Sequence, residues 1–80
     1  MKIDMKNAYK NIITYAAYAI NSQGADCSVC AEIESVKKVK RIAKRDFGRG
    51  WTIIISQHTT VEKNGIPFDF YTDVIEQFKI

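Results

Sequence analysis

From residue 5 onward, Met5, Ala8, Tyr9, Ile12, Ala16, Ala19 and Ile20 recur at intervals of three and four. That is the spacing of one face of a helix, and Lys6, Asn7, Lys10, Asn11 and Thr14 fall on the other side. With Asp4 as a cap and Asn-Ser-Gln-Gly as a stop, the pattern predicts a helix over residues 5–22, Gly24 taking a left-handed position just past its end. A competing reading pairs residues 12–20 with 27–33 as a β-hairpin. It has the β-branched residues and the tyrosines in its favour, but no alternation in polarity.

Residues 26–34, DCSVCAEIE, alternate: Cys27, Val29, Ala31 and Ile33 point one way, Ser28, Cys30, Glu32 and Glu34 the other. This is the period of a half-buried strand. Ser35 then caps a second helix, on which Val36, Val39, Ile42, Ala43 and Phe47 gather on one arc. Gly48 and Gly50 end it. WTIIISQHTT, residues 51–60, reads as a central strand because Ile53, Ile54 and Ile55 are apolar without a break. Asn64-Gly65 is the strongest short-range hairpin signal. The return strand, residues 66–72, places Phe68 and Phe70 on one side and Asp69 and Tyr71 on the other. It begins at a sheet edge, since Pro67 cannot donate to a ladder. Residues 73–80 form either a short helix capped by Asp73 or a continuation of that strand.

The order α-β-α-β-β, with or without a last helical turn, predicts an α+β fold: a small single layer of three-stranded sheet packed by helices. Residues 1–80 make one domain, with no linker, internal repeat or low-complexity segment. The apolar set contains no Leu and is dominated by Ile, Val, Tyr and Phe, which favours strand content. No run reaches the roughly 18 apolar residues of a membrane span. Residues 12–20 could pass for a secretory h-region, but the stretch is short, rich in Tyr and preceded by a segment carrying Asp4 and two Asn, so that reading is set aside. Two cysteines do not make a disulfide framework, so a reduced, cytoplasmic protein is expected.

Charge is segregated. Residues 36–51 carry seven basic side chains and one acid, Asp46; the remainder carries five basic residues against eight acids. The second helix is therefore strongly cationic on an otherwise mildly acidic molecule. Lys37/Arg41, Lys40/Lys44 and Arg41/Arg45 are like-charge pairs one turn apart, each costing about 0.2–0.5 kcal/mol. A cluster held at that cost points to an anionic partner. Lys37, Lys40, Arg41, Lys44, Arg45 and, at the tip of the following turn, Arg49 are the candidate partner-binding residues. Tyr71 and the Asn64-Gly65 tip are further contact candidates, aromatics being common anchors.

The signals for catalysis are weak. Cys27-Ser-Val-Cys30 matches CxxC, but zinc needs four ligands and the chain offers only His58 besides. Strand alternation would put the two sulfurs on opposite faces. His58 has no nucleophile placed near it, and Asp69, Asp73 and Glu76 do not make an acid–base or metal spacing. Gly48-Arg49-Gly50 follows a helix, whereas a phosphate cradle precedes one. No enzyme activity, metal or cofactor is expected.

The unit CAEIESVKKVKRIAKRDFGRGWTIII, residues 30–55, resembles the core unit of several small phage-encoded anti-CRISPR proteins that act on type I surveillance complexes. Those are small single domains, often α+β, without catalytic machinery. The resemblance implies inhibition by binding, on a Cas subunit surface or in the channel that guides the nucleic acid. An N-terminal helix would depart from the hairpin that some of them carry. The expected function is thus a non-enzymatic phage or mobile-element inhibitor that docks on a host protein or nucleoprotein complex such as a CRISPR-Cas effector. The alternative is direct, sequence-independent nucleic-acid binding by the basic helix, residues 36–45, through phosphates.

Overall fold

The computed structural model describes residues 9–80. Five elements follow one another: β1 (Tyr9–Asn21), β2 (Asp26–Ile33), α1 (Val36–Asp46), β3 (Trp51–Lys63) and β4 (Ile66–Lys79). The strands form one antiparallel sheet in the order β2-β1-β3-β4. This corrects the expected α-β-α-β-β order and the three-stranded sheet packed by helices: among the described residues the order is β-β-α-β-β, with four strands in the sheet and one helix.

The first helix is a strand over its described part; its first positions, residues 5–8, lie outside the described residues. The misreading has a physical cause. β1 lies inside the sheet, between β2 and β3, and is apolar on both faces. Tyr15, Ala17 and Ala19 face the core, while Ile12, Ala16, Tyr18 and Ile20 face the other way. A strand apolar on both sides shows no polar alternation, so periodicity alone does not separate it from a helix. The hairpin that competed with the helix reading is the one formed, though with register shifts that the alternation did not foresee. Asn-Ser-Gln-Gly is its turn. Asn21 Oδ1 accepts from the backbone N–H groups of Gln23 and Ala25, both at 3.0 Å, and Gly24 takes φ +84°.

β1 and β3 pair without a break from Tyr9↔Lys63 to Asn21↔Trp51. Asn64 and Gly65, at φ 55° and 82°, close the β3–β4 hairpin as the sequence predicted. Residues 73–80 continue β4 to Lys79, which removes the option of a C-terminal helix. β4 is an edge strand, in keeping with Pro67 near its start.

Ser35 Oγ accepts from Lys38 N–H at 3.2 Å and caps α1. The helix lays Val39 and Ala43 on Ala17, Ala19, Ile53 and Ile55, and these six are the buried apolar core. Phe47 and Trp51 meet edge to face at 5.2 Å and close its end. An 11-residue helix is only about 16 Å long, whereas the 13- and 14-residue strands run about 45 Å. The core therefore occupies one end of an elongated molecule, and the sheet continues beyond it to the Asn64–Gly65 tip.

A cationic stripe on the helix

Five of the six nominated cations lie on α1, and Arg49 lies in the turn behind it. Burying Val39 and Ala43 turns Lys37, Arg41, Lys44 and Arg45 to solvent; Lys40 is half-buried. The cations are not equivalent. Lys40 Nζ pairs with Glu76 of β4 and sits 5.9 Å from the centre of the Phe78 ring. Lys44 Nζ approaches the same ring at 5.9 Å. Arg45 Nε donates to Asp46 at 2.8 Å, and Lys38 pairs with Glu34 at 3.1 Å.

Among the described residues Lys37, Arg41, Lys44 and Arg49 have no carboxylate partner within 4.0 Å. Lys37, Arg41 and Lys44 are spaced i, i+4, i+7 on one side of the helix and span about 10 Å of its axis. The stripe is thus narrower than the six-residue cluster read from sequence. Its acidic neighbours are held ionised. The carboxylate of Glu34 lies below its ordinary range because of a backbone N–H donor and Lys38, and that of Asp46 because of the Arg45 guanidinium.

Bulges in β2 revise the cysteine geometry. Between Tyr15↔Ile33 and Ala17↔Cys30, and again before Tyr18↔Ser28, the register slips, with Glu32 at φ 56°. Cys30 then lies opposite Ala17 and Cys27 opposite Ala19, two positions on the same face of β1. The expected placement on opposite faces is overturned, although both thiols are free. Partial burial pushes the Cys30 thiol up from its ordinary value, the Ala17 backbone hydrogen bond offsetting part of the rise and Asp46 adding to it. His58, opposite Thr14, belongs to the other face of the sheet, where Nδ1 and Thr72 Oγ1 share a hydrogen bond of 2.8 Å. Cys30 and His58 therefore lie on opposite faces of the sheet.

The glycine turn is no anion cradle. Phe47 caps the helix C-terminus by donating to Ala43 O, and Gly50 at φ 97° reverses the chain into β3. Among the described residues no group of three or more His, Cys, Asp or Glu is arranged to hold a metal ion, and no helix is long and apolar enough to cross a membrane.

Sequence reasoning missed the side chains gathered around the hairpin tip. Tyr9 and Phe68 are in contact at 5.6 Å, with Lys63 Nζ 5.6 Å over the Tyr9 ring. A register shift between Val61 and Glu62 turns Phe68 onto the face of Tyr9, so Phe68 and Phe70 do not share a side as expected. The β-hairpin reading of the N-terminal segment began at Ile12 and left Tyr9 out, so only its pairing with Lys63 brings it to the tip. No protein-family model, curated protein or solved structure matches this chain.

Proposed function

We propose that this chain is a small non-enzymatic binding protein that docks through the outer stripe of α1 on a nucleoprotein complex. The observation that carries the reading is the alignment of Lys37, Arg41 and Lys44 without a carboxylate partner among the described residues, on a helix whose other cations are already paired. Surface pairs such as Lys38–Glu34 are worth little, but they neutralise charge locally and leave the stripe as the concentrated positive field.

Magnitude favours a composite partner over bare nucleic acid. Non-specific binding to DNA, at roughly 10⁻⁴–10⁻⁶ M, is electrostatic throughout, and the proteins with the steepest salt response make about 6–10 phosphate contacts. Lys37, Arg41, Lys44 and Arg49 supply fewer. A nucleoprotein surface adds protein contacts to the same charges.

The resemblance to small anti-CRISPR proteins supports a type I effector as the partner class. With residues 9–33 folded as a hairpin, the N-terminal segment no longer sets this chain apart from members of that group that carry one there.

The test is inhibition and capture with purified components and lysate. The chain should block target-DNA binding by a type I effector and retain a discrete complex after nuclease treatment. Lys37→Glu/Arg41→Glu/Lys44→Glu should lose both. Capture that collapses with nuclease would make the chain a direct nucleic-acid binder instead.

A further inference from the structure

Beyond α1 the helix-bearing face of the sheet continues as a shelf that no other described element covers. The unbroken β1–β3 register places Tyr9 and Ile13 on it, pairing through β3 extends it to Ile66 and Tyr71, and ring contact with Tyr9 adds Phe68. These five side chains are 57%, 43%, 68%, 47% and 54% exposed in that order. They form one surface, because Thr59, flanked by Ile13 and Tyr71, is only 3% exposed beneath them.

Three rings of about 200 Å² each, roughly half exposed, with two isoleucines give an apolar area of about 500 Å². That is at the upper end of what a soluble monomer leaves open, about 300–600 Å². Interfaces are about 56–65% apolar, so such a patch implies roughly 800 Å² per partner, the standard size of a stable interface.

Charge narrows the occupant. The shelf carries Lys63 against Asp69 and Asp73, so apposing it to itself adds little repulsion, whereas two cationic stripes would repel strongly. Shape agrees. α1 stands on the same face and leaves a step beside it, and two sheets stack about 10 Å apart, a layer comparable to a helix diameter.

We propose that the shelf is covered by the shelf of a second copy of this chain, face to face about a two-fold axis. The patch is then isologous, meeting itself, and the two cationic stripes lie at opposite ends of the dimer. The proposal goes beyond the docking function and does not depend on it.

Sedimentation equilibrium of the whole chain across the micromolar range tests it. The expected mass is twice that of the 9.1 kDa chain. Phe68→Glu and Tyr71→Glu should each weaken association by about tenfold or more while the far-UV circular dichroism stays unchanged. Phe70→Glu is the control: Phe70 is 68% exposed on the same strand but, opposite Thr60, belongs to the other face, so its variant should remain dimeric. A wild-type chain that stays monomeric overturns the proposal. So does a dimer that Phe70→Glu breaks, or one that survives both Phe68→Glu and Tyr71→Glu.

Discussion

Lys40 of the helix and Glu76 of the edge strand form an ion pair that ties α1 to β4, and the same ammonium lies 5.9 Å from the Phe78 ring. Lys40 thus acts as a clamp as well as a cation. An exposed pair contributes about 0–1 kcal/mol and a surface cation–π contact about 0.5–1 kcal/mol. Lys40→Ala should therefore lower stability by about 1 kcal/mol, a drop in Tm of roughly 4–8 °C for a domain of this size. Lys37→Ala, with no carboxylate partner among the described residues, should leave Tm unchanged. Thermal melts followed by circular dichroism decide it, and equal melts for the two variants would remove the clamp.

The meeting of helix and sheet is built from small residues. Ala17, Ala19 and Ala43 are buried and share the core with Val39, Ile53 and Ile55. Ala43→Leu forces a larger side chain between the two layers and should cost about 1–3 kcal/mol. Ile53→Ala leaves a cavity and should cost about 2–5 kcal/mol. Urea unfolding measures both, and a neutral Ala43→Leu would mean that the helix stands off the sheet.

Acid should weaken the helix ends before the sheet. Glu34 and Asp46 have carboxyls depressed below their ordinary values of 4.5 and 3.8 by partners in the folded chain. A depressed acid stabilises the fold above its unfolded pKa, and the contribution is lost as pH falls through the folded value. Stability should hold steady above pH 4.5 on this account and decline below it, most steeply under pH 3.8. Both groups are exposed, so the effect is small. Glu34→Gln/Asp46→Asn should flatten the acid limb of a Tm-against-pH curve; an unchanged limb would place the acid sensitivity elsewhere.

What the sequence revealed follows from how local each signal is. The Ser35 cap, the Val39–Ala43 arc and the Asn64-Gly65 turn depend on neighbours within a few residues, and each was readable. β1 was not, because its fate depends on β3, some 40 positions away in the chain, pairing residue for residue with a strand apolar on both faces. Bulges were equally hidden. One slip in β2 moves Cys30 across the sheet with nothing at Glu32 to announce it, and one in β4 moves Phe68 beside Pro67, a residue that sheets admit at edges and at bulges and that was read here only as an edge signal. The cationic cluster was legible as composition, but its division into clamped Lys40, paired Arg45 and an open stripe required tertiary placement.

The cysteines offer a direct reading of that hidden register. Cys27 is exposed near the start of β2, while Cys30 is half-buried against the core opposite Ala17, and its burial favours the neutral thiol. Alkylation proceeds through the thiolate, so a raised pKa and restricted access act in the same direction. Iodoacetamide at neutral pH should label Cys27 well ahead of Cys30, as read by mass spectrometry of proteolytic peptides. Denaturant should abolish the difference. The raised thiol also has a stability consequence with the opposite sign from the acids: its contribution is full below the ordinary value of 9.0 and is lost as pH rises through the folded value. If Cys30 instead reacts first in the folded chain, β2 does not carry the bulges that bring it inward. The pairing of Cys30 with Ala17 would then be wrong.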